Sequence, residues 1–306
     1  MQAAAFGLLS VVSVLWLSPP LALAAGILMA VTLGSYQADR VQQASKWLLQ
    51  ASVVCLGFGM NLGQVWSATA DGFFFTLITI FGTLALGLWL GRRLGVEDHA
   101  NTLISAGTAI CGGSAIAAVG AAIRADKSAM AVALATVFSL NAVALFIFPP
   151  LGEWLGLSQH QFGIWSAIAI HDTSSVVGAA AAYGEPALEL ATTVKLGRAL
   201  WILPLVAVIG WKFSSSEHGR RAAIPWFIFL FVGAAALRNA IPDAAPAFDT
   251  LRAFGRAGLT LTLFLIGSTL SMAAIAKVGF KPMLHGTVLW LIVSASTLLL
   301  VHSTLS

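Results

Sequence analysis

Three short strings in an otherwise apolar chain carry groups able to do chemistry. His171-Asp172-Thr173-Ser174-Ser175 interrupts the hydrophobic run from Phe162 to Ala182. Lys195 and Arg198 lie one helical turn apart in LATTVKLGRALWILPL, and Cys111-Gly112-Gly113-Ser114 divides AGTAICGGSAIAAVGAAI. A carboxylate within a hydrophobic span is costly and marks a functional position. Asp172 beside His171 offers two titratable groups suited to coupling transport to protons. The same Asp followed by Thr-Ser-Ser is also a good N-terminal cap for an apolar helix over Val176–Ala182. The two readings are compatible if the span itself breaks at Asp172.

Depth decides how Arg198 is read. With a helix starting near Ala187, Arg198 lies roughly 16 Å from its start, about halfway across a ~30 Å hydrocarbon core. A guanidinium there needs an interior partner such as Asp172 or an anionic substrate, with Lys195 behind it. The competing reading is snorkelling of both chains towards the surface near Glu189. Gly112-Gly113-Ser114 is a poor choice for a helix interior that must satisfy itself in lipid. It suggests a discontinuous helix whose second half starts near Gly113 or Ser114. The free N–H groups of that half would face an anion, with the Thr108 and Ser114 hydroxyls nearby. A small-residue packing seam is the alternative. Asn61, Asn141 and Asn239 read as interhelical glue, and the Trp residues as interfacial anchors. The two cysteines, Cys55 and Cys111, both lie in apolar segments with no metal-ligand spacing, which argues against a disulfide framework. No zincin, nucleotide or nucleophile-elbow motif is present, so the chain does not read as an enzyme.

The elements that must position these groups are membrane spans. Of 306 residues, 58% are hydrophobic and 9% charged, with a mean hydropathy of +0.90. A soluble domain carries about a quarter of its residues as charged groups. The net charge of +4 sits mostly between apolar runs, as topology signals do, and not as a nucleic-acid surface. The residues from Ala3 through Ala25 could pass for a signal peptide, but no Lys or Arg precedes the run, so a retained first helix is expected. Eleven segments follow: Ala3–Leu17, Leu21–Leu33, Trp47–Leu62, Phe73–Leu90, Leu103–Ile123, Ala129–Phe148 (stopped at Pro149-Pro150), Phe162–Ala182, Leu190–Ile209, Ile224–Ala240, Phe254–Ala274 and Met283–Val301. Ten spans, with the first two forming a hairpin or re-entrant pair, is the competing count. On eleven spans the basic residues favour a cytoplasmic N-terminus, with Arg92, Arg93 and Lys281 inside and Arg124, Lys127, Arg252 and Arg256 outside.

Thr108-Ala-Ile-Cys-Gly-Gly-Ser114 aligns without gaps on Thr262-Leu-Phe-Leu-Ile-Gly-Ser268, matching Gly113 to Gly267 and Ser114 to Ser268. Each string lies in the penultimate span of a five-span half. This suggests an extra helix at 1–19 and two halves of opposite orientation, 20–150 and 151–306, as in inverted-repeat transporters.

The strings LISAGTAICGGSAIAAVGAAI, GIWSAIAIHDTSSVVGAAAAYG and TTVKLGRALWILP, in that order, resemble the YeiH-type family of proposed sulfate exporters in bacterial inner membranes. The resemblance covers about Leu103 to Pro204. It implies an all-α, multi-pass fold related to bile-acid transporters and sodium–proton antiporters. In such a fold two crossing discontinuous helices would break at Cys111–Ser114 and near Gly267-Ser268. It also implies a secondary transporter of a small anion, sulfate or another sulfur-containing anion, working by alternating access. Thr108, Gly112, Gly113, Ser114, Lys195, Arg198, Gly267 and Ser268 would bind the anion, and His171 and Asp172 would couple H+ or Na+ without any cofactor. A sodium- or proton-coupled organic-anion carrier is the alternative. Expected partners are the small anion, membrane lipid and a second copy of the chain, and not nucleic acid.

Overall fold

The computed structural model of the protein describes residues 2–60, 73–202, 204–205, 226–269 and 278–304. All regular structure among them is helical: α1 (Gln2–Trp16), α2 (Pro19–Leu33), α3 (Ala38–Gly57), α4 (Phe73–Arg93), α5 (Asp98–Ala109), α6 (Gly113–Ala122), α7 (Lys127–Trp154), α8 (Gln159–Ala169), α9 (Thr173–Tyr183), α10 (Glu185–Leu200), α11 (Trp226–Ala240), a 3-10 turn (Pro242–Ala244), α12 (Ala245–Thr269) and α13 (Phe280–Thr304). Asn61, and the expected span ends at Leu62, Ile209, Ile224 and Ala274, lie outside the described residues.

Among the described residues, α7 with 28 residues and α13 with 25 are each apolar and long enough to cross a membrane. The axis of α11 makes an angle of 106° with the segment from Pro242 through α12. At ~1.5 Å per residue, α7 measures about 42 Å, and its two ends serve below to orient the rest. It does not stop at Pro149-Pro150, as the sequence suggests, but runs one turn further to Trp154. Two prolines so near the end deprive only the Leu145 and Phe146 carbonyls of helical donors. The helix then closes with Leu155 and Gly156 N–H groups on the Leu151 and Glu153 carbonyls.

The helices pack in two groups. In the first, α12 lies against α1, α2 and α3, and α11 against α3. In the second, α4, α5, α6, α7, α8, α9, α10 and α13 pack on one another, and α9 joins the groups by touching α2 and α12. Helices α1 and α2 are antiparallel: the Gln2 side chain donates to the Leu33 carbonyl, and the Phe6 and Tyr36 rings lie 5.2 Å apart.

Gly267 and Ser268 themselves lie within the last turn of α12, which is helical to Thr269, and residues 270–277, where a break near them would fall, lie outside the described residues. Gly267 serves close packing. A Cβ there would press on the Leu23 carbonyl of α2 and lie 3.0 Å from the Ile27 nitrogen. Gly26 faces it in the same way across the seam, with Ser268 N 2.8 Å from where its own Cβ would sit. Ser268 Oγ donates back to the Leu265 carbonyl, an ordinary in-helix bond. Lipid tails are as apolar as Leu, so small residues that let backbones approach are what hold such helices together.

In an open helix, Gly→Ala gains up to about 1 kcal/mol of helix propensity. At position 267 the added methyl meets backbone that cannot move aside, so Gly267→Ala is expected to lower the melting temperature in detergent. A rise in Tm would show that α2 and α12 do not meet at this glycine.

Candidate functional site

Two of the three polar strings occupy the tips of two helical hairpins, and the third lies on α10. Helices α5 and α6, expected to be one broken span, fold back on each other. A Cβ on Gly107 would lie 2.9 Å from Ile116 Cδ1, and one on Gly120 would lie 3.4 Å from Leu103 Cδ2. A continuous helix would hold residues 103 and 120 about 25 Å apart. The two ends of this hairpin also meet at its base, where His99 Nδ1 and Asp126 Oδ2 are 3.8 Å apart. Asp126 caps α7 through the Ala129 N–H, which holds its carboxyl below the usual range. Helices α8 and α9 repeat the arrangement. Phe162 and Tyr183 stack with ring centroids 3.8 Å apart, Gln159 Nε2 donates to the Tyr183 carbonyl at 2.9 Å, and the Tyr183 hydroxyl donates to the Leu157 carbonyl. The fifth and seventh expected spans therefore fold back on themselves as hairpins. A continuous apolar run looks the same whether the chain goes straight or turns back.

The hairpins enter from opposite ends of α7. The first has its base at Asp126, beside Lys127. The second has its base near Gly152, where an added Cβ would meet Phe162 and Tyr183 ring carbons. Their tips, 110–112 and 170–172, meet beside the middle of α7: a Cβ on Gly112 would sit 3.5 Å from Asp172 Cα. At the same level, a Cβ on Gly113 would lie 3.0 Å from Phe138 Cζ, and Asn141 Oδ1 accepts the His171 backbone N–H at 2.9 Å.

Each tip needs residues that can end one helix and start another. Gly112 has φ +63 and ψ −120, a conformation that only glycine adopts without strain. Asp172 has an extended backbone, and its carboxylate accepts from the Ser174 and Ser175 N–H groups and the Ser174 hydroxyl. The tips share a short repeat at constant spacing: Ala109-Ile110 recurs as Ala169-Ile170, the cap Gly112 as Asp172, and Ser114 as Ser174. The resemblance of Thr108–Ser114 to Thr262–Ser268 has no such counterpart, since the latter is continuous helix.

Helix α10 passes both tips and supplies donors to the helix ends that need them. Lys195 and Arg198 are 0% and 1% exposed. Lys195 Nζ donates to the Ile170 carbonyl at 2.8 Å and the Ala167 carbonyl at 3.3 Å, closing the C-terminus of α8. Arg198 Nη2 donates to the Ala109 carbonyl at the end of α5 at 2.6 Å, and Nη1 to Thr79 Oγ1 of α4 at 2.8 Å. Trp290 Nε1 of α13 takes the Ala169 carbonyl at 3.1 Å. Neither cation pairs with Asp172, the partner suggested by the sequence; both cap helix C-termini, where the macrodipole favours positive charge.

The N-terminus of α6 differs, because Gly112 offers it no side-chain cap. Around the tips, Thr108 Oγ1, Asn141 Nδ2, both ring nitrogens of His171 and Arg198 Nε are buried without a partner among the described residues. Ser114 is exposed, and Gly113, Asp172 and Thr173 are half-buried. Thr108, Gly112, Gly113, Ser114, His171, Asp172, Lys195 and Arg198 thus belong to one neighbourhood, while Gly267 and Ser268 lie in the α2–α12 seam. Thr79 and Trp290 were not singled out from the sequence. A Thr in an apolar run carries no signal, and Trp290, like the buried Trp165, reads as an interfacial anchor until the fold is known. Asn141 is the interhelical bond expected of it, whereas Asn239 is exposed.

Comparison with known proteins places these residues within a wider group. The family model described as Conserved hypothetical protein 698 matches residues 8–286. A UPF0324 membrane protein of Porphyromonas gingivalis is 51% identical over 286 residues, covering 92% of this chain and 86% of its own. One from Bacteroides thetaiotaomicron is 48% identical over 292 residues, covering 94% and 87%. UPF0324 membrane protein VV1_3166 of Vibrio vulnificus is 45% identical and covers 92% of each chain. No solved structure matches.

Two outcomes check this geometry. With Cys55 and Cys111 replaced by alanine, single cysteines at Arg93 and Lys127 should react with an impermeant thiol reagent from the same membrane face, and one at Glu153 from the other. Labelling of 93 and 127 from opposite faces would restore a spanning fifth helix. Asp172→Ala should lower stability by about 1 kcal/mol through loss of the cap, with Asp172→Asn retaining most of it; equal stability of all three proteins would remove the cap.

Proposed function

The chain belongs to the Conserved hypothetical protein 698 family, the YeiH-type group its motifs resemble, and on that premise we propose that this membrane protein is a secondary active transporter of a small anion. The observation that carries this reading is the meeting of two oppositely inserted hairpins at mid-depth, with two buried cations beside one carboxylate. Broken helices that bring free backbone groups to the midplane are the usual substrate site of secondary transporters. The excess positive charge and the unpartnered donors favour an anion over a cation.

In this reading the anion lies against the uncapped start of α6. It accepts from the Gly113 and Ser114 N–H groups and draws on Thr108 and the Arg198 Nε. Lys195 and Arg198 act through charge while keeping their hydrogen bonds to helix carbonyls. His171 and Asp172 couple the movement to H+ or Na+. Gly267 and Ser268 have no part in the site. Helix α7 follows the first hairpin and α10 the second, so two hairpin-plus-span units of opposite orientation are the form of inverted repeat that this geometry supports. Alternating access would move the hairpin group against the group of α1, α2, α3, α11 and α12. At the Trp154 end, Arg252 pairs with Glu185 and Glu189, and Arg256 with Glu185, which ties α12 to α10 across the two groups. Sulfate or another sulfur-containing oxyanion, exported from the cell, is the substrate the family resemblance favours.

Uptake of radiolabelled sulfate into proteoliposomes, with H+ and Na+ gradients varied, tests the reading directly. His171→Asn, which removes a ring bonded to nothing among the described residues, should leave Tm near the parent value and reduce flux. Arg198→Ala should raise the half-saturating anion concentration by roughly tenfold to a hundredfold, as expected for a hydrogen bond to a charged group. No flux of any inorganic anion under any gradient would defeat the proposal. Stabilisation by an organic carboxylate and not by sulfate would favour the organic-anion carrier instead.

A further inference from the structure

A concave cationic patch lies at the Lys127 end of the bundle, away from the hairpin tips. Helix α4 ends there, and its outward face presents Ile78, Phe81, Ala85, Trp89 and Arg92 as exposed residues, each three or four positions after the last. Ala85, Leu88, Trp89, Arg92 and Arg93 line a cavity of about 450 Å³. The Arg93 guanidinium lies over the Trp89 indole at 5.6 Å from its centroid. Lys281, at the start of α13, lies close to the end of α4 but outside the cavity lining, its Nζ 3.2 Å from where a Cβ on Gly95 would sit. Gly95, at φ +65, makes the tight turn that brings the end of α4 under that lysine.

Among the described residues, none of Arg92, Arg93 and Lys281 forms an ion pair. Of the nearby carboxylates, Glu97 accepts the His99 and Ala100 N–H groups and Asp126 caps α7, while Asp98 is exposed and forms no ion pair with these cations. Two arginines and an indole lining one cavity, with Lys281 close by, have the chemistry that suits a phosphate at a membrane interface. The apolar strip of Ala85, Phe81 and Ile78 continues from the cavity towards the bilayer interior on the same helix face. A free phosphate ion would leave that strip unused, whereas an acyl chain attached to the phosphate would follow it.

We propose that this groove is a binding site for one anionic phospholipid. Its phosphate is held by Arg92, Arg93 and Lys281, its glycerol region rests on Trp89, and an acyl chain runs along Ala85, Phe81 and Ile78. The site is coupled to the hairpins by contact. The Leu88 carbonyl of α4 accepts the Asn101 side chain of α5 at 3.1 Å, and Thr79 of the same helix accepts from Arg198. A lipid that orders α4 therefore stabilises the first hairpin. With the hairpin base on the same face, Arg92, Arg93, Arg124, Lys127 and Lys281 share one end of the molecule, which makes that end cytoplasmic and places the site in the inner leaflet.

The test uses the full chain purified in detergent, titrated with phosphatidylglycerol, phosphatidylcholine or inorganic phosphate, and read by thermal shift and by lipid adducts in native mass spectrometry. Phosphatidylglycerol should raise Tm and remain bound, with phosphatidylcholine and inorganic phosphate giving neither effect. Loss of each charge should weaken lipid binding by roughly fivefold, so Arg92→Gln with Arg93→Gln weakens it by about twenty-five-fold. Both residues are exposed and outside the hairpin tips, so the double variant should keep the parent Tm without lipid; Arg93→Gln alone provides a second variant should it not. Equal effects of phosphatidylcholine would reduce the groove to a general lipid contact, and a matching shift from inorganic phosphate would make it an ion site. Undiminished binding by the variants would remove the arginines. None of these readouts depends on transport, so each stands apart from the flux measurement.

Discussion

Four helix ends at the middle of an apolar bundle are the constraint on which the rest of this structure depends. Each interruption of a helix leaves unpaired carbonyls on one side and unpaired N–H groups on the other, and lipid offers no water to satisfy them. The protein meets this need from neighbouring helices. Arg198 takes the end of α5, Lys195 and Trp290 take the end of α8, and the Asp172 carboxylate takes the start of α9. Positive charge lies at helix C-termini and negative charge at an N-terminus, the sense that the macrodipole favours. Of these four ends, the start of α6 is the one without a side-chain cap.

This arrangement explains why two cations can be buried so deeply. A charge withdrawn from water costs several kcal/mol unless its hydrogen bonds are replaced. Lys195 and Arg198 exchange water for helix carbonyls, so their burial and the helix breaks offset each other. Helix α10 must then pass both tips, which sets the position of the second hairpin relative to the first. The group containing α12 is held by a different device. Gly26 and Gly267 let α2 and α12 approach at backbone distance, where dispersion contacts can act without any hydrophobic drive between the helices.

Much of the site was legible residue by residue. The glycines at 112 and 113 announced a break, Asp172 with its Thr-Ser-Ser announced a cap, and counting residues along α10 placed Arg198 at mid-depth. Other features left no usable trace. Thr79 and Trp290 are unremarkable in an apolar run, and at Gly267-Ser268 the small residues serve a packing seam that sequence alone does not tell from a break. The motif shared by the two tips, Ala109-Ile110 and Ala169-Ile170, is so short that it stands out only once both tips are seen to start helices at equivalent positions.

Composition and hydropathy alone determined that the chain is helical and membrane-embedded, because a backbone in lipid has few other ways to pair its polar groups. Local chemistry determined where two helices are interrupted, since glycine, aspartate and serine favour caps over helix interiors. Only the tertiary structure decided that each interrupted helix turns back. A straight break and a hairpin use the same apolar residues in the same order, and the difference lies in which side chains meet, Gly107 with Ile116 and Phe162 with Tyr183. It likewise decided the partners of Lys195 and Arg198, because a cation deep in an apolar helix specifies a need for acceptors and not which neighbour supplies them.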